Sequence, residues 1–257
     1  MSGIDLMVKP CDTGYLYDGG LAGFFCCLHE SVHKRELPFC IEPEQSAQPS
    51  LLPRKFIATD PAKANRVRAS IPAKISPRAL QLVENVFLSC MEERELTLLR
   101  FLLLGYKEGA KVALQQGRGE VAPLLAAERH LMRECHLLQG FVRFSDHGGA
   151  LIAAITPKNF VLPYIANHFV NRFSGENFMI YDKTHKAALI YQNRRRRIIP
   201  LEDVELPAAS PEEEGYRELW KRFYNTVAIE GRYNPRCRMT HMPKRYWENM
   251  TEMREFL

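Results

Sequence analysis

The chain has 257 residues, 46% of them hydrophobic, and a formal net charge of +5 at pH 7. That is enough apolar material for a sizeable core, and the moderate positive charge permits contact with a polyanion without demanding it. No apolar run approaches the ~20 residues that cross a bilayer, and the N-terminus lacks a basic region ahead of an apolar core, so a cytoplasmic protein without membrane contact is expected.

The first predicted element is a strand over residues 15–17, running into the Gly19-Gly20 turn. Residues 21–34 read as a helix with Phe24 and Leu28 inward and Val32 as a further candidate. Residues 38–53, with Pro, Ser, Gln and Glu, read as a surface connection, and residues 56–59 as a short strand. Thr59-Asp60-Pro61 combines a capping side chain with a proline suited to a first turn, which predicts a helix over residues 62–71 that Pro72 stops. Ser76-Pro77 repeats the signal and opens a helix running to Cys90. Residues 92–106 place Leu96, Leu99, Leu102 and Leu103 at helical spacing, and residues 111–116 and 121–138 continue the pattern, so the middle third is a helical insertion.

Residues 140–191 organise the rest. Residues 141–144 have the aromatic and β-branched content of a strand. Asp146-His147-Gly148-Gly149 is a turn, because glycine takes positive φ without steric cost, and residues 150–156 are a second strand. A helix is predicted over residues 160–173, with Pro163 tolerated in its first turn. Residues 178–182 and 187–191 are two further strands. The order strand–strand–helix–strand–strand predicts an α+β fold, an antiparallel sheet with one helix across a face. Beyond it come an extended stretch at 198–206, an acidic loop at 208–215 and a helix over 212–229. That helix is expected to turn Leu219, Phe223 and Val227 inward, with either Tyr216 or Trp220. The tail should be irregular, with a short helix near 244–250. A single domain over 1–257 is expected, with sub-regions at 1–58, 59–138, 139–192 and 193–257.

The seven cysteines are odd in number and form no CxxC pair, so reduced thiols are expected and neither a metal site nor a cofactor is implied. There is no GxGxxG, GxxxxGK[ST] or GxSxG pattern. The densest charge is Arg194, Arg195, Arg196 and Arg197, which suits phosphate contact or a solvated sheet edge or loop. The tail interleaves Arg232, Arg238, Lys244 and Arg245 with Tyr246 and Trp247, a mixture that suits single-stranded nucleic acid, a protein interface or simple packing. His168 and Arg172 share a helix face, and with Arg143 and Asp182 they could bind phosphate, perform acid–base work or form an ion-pair network.

Five ordered blocks carry a family resemblance: YLYDGGLAGFF, GFVRF, VLPYIANHFVNRF, MIYDKTHKAALIY and YNPRCRMTHMPKRYW. Together they resemble a bacterial family of proteins associated with DNA metabolism or DNA repair and built on a domain of unknown function. The resemblance implies a radical-SAM DNA repair or modification enzyme as partner. In some relatives the domain is fused to a uracil-DNA-glycosylase-like domain, and no such domain is expected here. The expected function is therefore a DNA-binding accessory to that enzyme. The alternatives are a DNA-processing hydrolase using His168, Arg172 and Asp182, or a scaffold without nucleic-acid contact.

Overall fold

The computed structural model describes residues 8–114, 117, 119–202 and 209–256. The chain divides into two compact units, Met1–Leu131 and Met132–Leu257.

In the first unit, β1 (Lys9–Pro10) is followed by β2 (Gly14–Tyr17), α1 (Leu21–Lys34), β3 (Glu36–Leu37), β4 (Ile41–Pro43) and β5 (Arg54–Phe56). All pairings here are parallel: β1 with β3, and β2 between β4 and β5. The connection expected over 38–53 thus contains a strand, and the next strand begins two residues earlier than its composition suggests. Asp18 closes the β2–α1 turn itself, accepting from Gly20 N–H (2.9 Å) and the Thr59 hydroxyl (2.6 Å).

The helices α2 (Pro61–Lys74), α3 (Pro77–Phe87), α4 (Arg94–Glu108) and α5 (Ala122–Phe141) complete this part of the chain. Asp60 caps α2 through the N–H groups of Ala62 and Lys63, and Ser76 caps α3 through Ala79 N–H. Pro72 does not stop α2. Only two helical residues follow it, and Ile75 N–H still reaches the Ile71 carbonyl (2.8 Å), so the missing donor costs one bond near the helix end. The apolar stripe of α4 is buried, with Leu98, Leu99, Phe101, Leu102 and Leu104 excluded from solvent, and one continuous core gathers residues from Val8 to Leu124.

The second unit contains β6 (Ser145–Asp146), β7 (Ala150–Ile155), α6 (Leu162–Arg172), β8 (Asn177–Asp182), β9 (Ala187–Gln192), β10 (Arg195–Pro200), α7 (Pro211–Thr226) and α8 (Pro235–His241). The α+β class stands, with five strands ordered β10–β9–β8–β7–β6. Two details of the expected antiparallel core are corrected. Residues 141–144 are not a strand: α5 continues through Phe141, and the edge strand is the short β6. The β7–β8 pair is parallel, Ala153 facing Ile180, because α6 carries the chain back before β8 begins. The other pairs are antiparallel. The strand β10 joins β9 through Asn193 and Arg194, both at positive φ (52° and 58°), the conformation of a two-residue hairpin turn that matches strand twist.

Two further expectations are corrected. In α7, Leu219 and Phe223 face solvent (60% and 57% exposed), as does Val227 just past its end (57%), while Glu213 is buried. The tail is more regular than expected: Asn234 accepts from Cys237 N–H and, with Pro235, opens α8. The helical continuation at 115–116 and the extended stretch at 203–206 fall outside the described residues. No helix among the described residues is long and apolar enough to cross a membrane.

Candidate nucleic-acid interface

The run Arg194–Arg197 lies on the β9–β10 hairpin at the edge of the sheet, and all four side chains are exposed. Successive residues of a strand point to opposite faces, so the four guanidinium groups do not form one patch. Arg195 and Arg197 line a cavity of about 520 Å³ together with Ile190 and Ile199. Arg196 points the other way and donates to Asn167 Oδ1 of α6. Among the described residues none of the four pairs with a carboxylate.

A second cavity, about 510 Å³, lies where the end of α5 meets α6 and α7. It brings Arg143 and Arg172 together, as their sequence spacing allowed, and adds Arg217 with the rings of Phe144, Phe173, Tyr216 and Trp220. The three arginines differ in their freedom. Arg143 forms a two-toothed pair with Glu252 (2.5 and 3.2 Å), donates to the Gly140 carbonyl (2.7 Å) and lies over Trp220 (5.4 Å). Arg217 donates to Glu213 (2.9 Å) and Ser145 Oγ (2.6 Å). Arg172 is exposed, rests over the Phe173 ring at 5.7 Å, and has no carboxylate partner among the described residues.

The two anchoring carboxylates are themselves fixed. Burial works against the charge of Glu252, but Arg143 outweighs it and holds the carboxyl below the usual range. Burial likewise opposes the charge of Glu213, and the Asp146 N–H with Arg217 again wins. Arg143 and Arg217 are thereby wall groups of the cavity, and Arg172 is its available cation.

Asp182 does not join this cavity. It is fully buried at the end of β8, accepts from the N–H groups of Thr184 and His185 (3.0 and 3.1 Å), and pairs with His185 Nδ1 (2.7 Å), so it serves its own turn. His168 meets Phe169 edge-on, and its buried Nε2 has no hydrogen-bond partner among the described residues.

The tail residues fold inward. Tyr246 and Trp247 are 2% exposed, so neither ring is presented for base stacking. The Tyr246 hydroxyl (2.8 Å) and Arg245 Nη2 (2.7 Å) donate to Glu134, which also accepts from Lys158 N–H (3.0 Å) and Asn159 N–H (2.8 Å). These donors overcome the burial that opposes its charge and hold the Glu134 carboxyl low. Trp247 Nε1 donates to the Met242 carbonyl (2.9 Å). Arg238 lies among the rings of Tyr233, Trp247 and Phe256 (5.6, 5.3 and 4.8 Å), Lys244 lies over Trp247 (5.5 Å), and Arg232 is exposed. Sequence reasoning missed the carboxylates that anchor these cations. Glu213 reads as a first-turn acid favoured by the helix dipole, and only Glu134, beside the buried Leu131–Cys135–Leu138 stripe, carried a usable signal.

The profile of a family described as a domain of unknown function, DUF4130, matches residues 92–252. No curated protein and no solved structure matches the chain.

Proposed function

The chain belongs to the DUF4130 family, and from that premise we propose that it is a nucleic-acid-binding accessory protein of DNA repair or metabolism. The observation that carries this reading is the dual role of α6. Its Asn167 holds Arg196 of the hairpin, and Arg172, five residues or about 7.5 Å of helix rise further on, lines the aromatic cavity. Exposed guanidinium groups without carboxylate partners thus lead from the sheet edge towards the rings of Tyr216 and Trp220. Arginine forks suit phosphate oxygens and exposed rings suit unpaired bases, so a single strand is the better ligand than a duplex. The bond-making or bond-breaking chemistry then belongs to a partner, the radical-SAM enzyme that the resemblance implies.

Fluorescence anisotropy with labelled single- and double-stranded oligonucleotides across a salt series tests the reading. Affinity should fall as salt rises, because neutralised phosphates release counterions. Replacing Arg194, Arg195, Arg196 and Arg197 together by Ser should flatten the slope by up to about 3, at ~0.7 per single-strand phosphate lost. Arg172→Ala should weaken the single strand more than the duplex. An unchanged slope and affinity in both variants would overturn the proposal.

A further inference from the structure

A third cavity, about 490 Å³, lies wholly within the first unit between α1, α2 and α4, remote in sequence from the arginine hairpin. Two helices line it with rows of donors. From α1 come His29 and His33, four residues apart on one face, their rings stacked with centroids 6.1 Å apart. From α2 come Arg66, Ser70 and Lys74, again at four-residue steps. The floor between the rows is apolar, made by Leu28 and Val67. Tyr106 of α4 closes one end: its hydroxyl meets Ser70 Oγ at 2.6 Å, and Lys74 Nζ stands 5.9 Å from its ring centre.

Among the described residues no carboxylate lines this cavity. The contrast within α2 is informative. Lys63 pairs with Asp60 (3.6 Å) and Arg68 with Glu84 (2.7 Å), whereas Arg66 and Lys74, the two cations that face the cavity, have no carboxylate partner among the described residues. Cations gathered over an apolar floor without a counter-charge favour an anion. The two facing rows approach it from opposite sides, which suits the several oxygens of a phosphate, while the floor and the Tyr106 ring suit a flat apolar body.

We propose that this cavity is a binding site for a phosphate monoester carried on a flat, largely apolar group of about nucleotide size. The volume lies within the ~300–1,000 Å³ of ordinary small-ligand sites. Arg66 and Lys74 are eight residues apart, about 12 Å along the helix axis, so one holds the phosphate while the other borders the far end of the ligand. The site is independent of the nucleic-acid interface proposed above.

Isothermal titration of the full chain with adenosine monophosphate, adenosine and inorganic phosphate tests this. The monophosphate should bind at least tenfold more tightly than either fragment, because each fragment keeps only half of the recognition. Of Arg66→Glu and Lys74→Glu, both at exposed positions, the one at the cation that holds the phosphate should weaken the monophosphate tenfold or more. Lys63→Glu, on the same helix but outside the cavity, should leave binding unchanged. A 5′-phosphorylated oligonucleotide run in parallel separates a free nucleotide from a strand terminus, and tighter binding by either one supports the site. Binding that survives both Arg66→Glu and Lys74→Glu, equal binding of phosphate alone, or no heat with the monophosphate at millimolar concentration would overturn it. Unfolding midpoints of the variants, if unchanged, assign any loss to the cavity. Since Arg194–Arg197 are untouched, loss here with an intact salt slope for oligonucleotides separates this site from the other.

Discussion

The helices α4 and α7 carry similar apolar periodicity and meet opposite fates. In α4 the stripe of Leu98, Leu99, Leu102 and Phe101 is sealed inside the first unit. In α7 the stripe of Tyr216, Leu219 and Phe223 faces solvent, and what the helix buries is the carboxylate of Glu213. Periodicity shows that a helix has a preferred face, but it does not show that the chain provides a partner for it. The first unit is held largely by apolar packing. The second unit buries three carboxylates, Glu134, Glu213 and Glu252, against Glu95 and Glu128 in the first, each gathering donors from distant parts of the sequence.

Both tryptophans of the chain, Trp220 and Trp247, belong to the second unit, so their fluorescence follows that unit while far-UV circular dichroism follows mainly the helices. The comparison is tested most severely by Glu134→Ala. It strips the acceptor from the buried Asn159 N–H, the partly buried Lys158 N–H, a buried tyrosine hydroxyl and Arg245, and should cost about 3–5 kcal/mol in the tryptophan-detected urea transition. A loss below 1 kcal/mol would mean that the carboxylate network is not what holds the second unit. Leu99→Ala should cost about 2–5 kcal/mol in the circular-dichroism transition, through lost burial and the cavity left behind.

Acid should act on both units, since burial opposes the charge of Glu128 in the first but Arg78 and Asn85 hold its carboxyl low. The tryptophans report the second unit's share. The carboxyls of Glu134, Glu213 and Glu252 lie below their ordinary values when folded, so the unfolded chain takes up more protons as pH falls. The stability they contribute is complete above the usual carboxylate pKa of about 4.3 and is lost as pH drops through their depressed values. The tryptophan-detected midpoint should therefore decline below about pH 4.5 and decline less in Glu252→Gln. The smallest effect belongs to Leu219→Ala, which should shift stability by no more than about 0.5 kcal/mol, because the side chain is already in water. A loss comparable to that of Leu99→Ala would show that the α7 stripe is covered in solution.

Capping chemistry was legible in detail. Asp60-Pro61 and Ser76-Pro77 start helices where the sequence places them, because a capping oxygen and a proline without an N–H answer a local need. Asn234-Pro235 carried the same message and went unread among the irregular residues around it. The candidate interface was only partly legible. Arg143 and Arg172 could be brought together in thought because each lies on a predicted element near the sheet. That Arg143 is held by Glu252, 109 positions away, could not be read from spacing.

The sequence alone determined where the capped helices α2 and α3 begin, which residue types carry charge, and that four arginines would lie at a sheet edge or loop, since these follow from contacts within a few residues. Tertiary structure decided that β7 and β8 run parallel, that Tyr246 and Trp247 turn inward while Tyr216 and Leu219 turn outward, and which arginines meet a carboxylate. Those outcomes depend on groups far apart in the chain, where desolvation and pairing are settled by position in space and leave no periodic trace in the residues themselves.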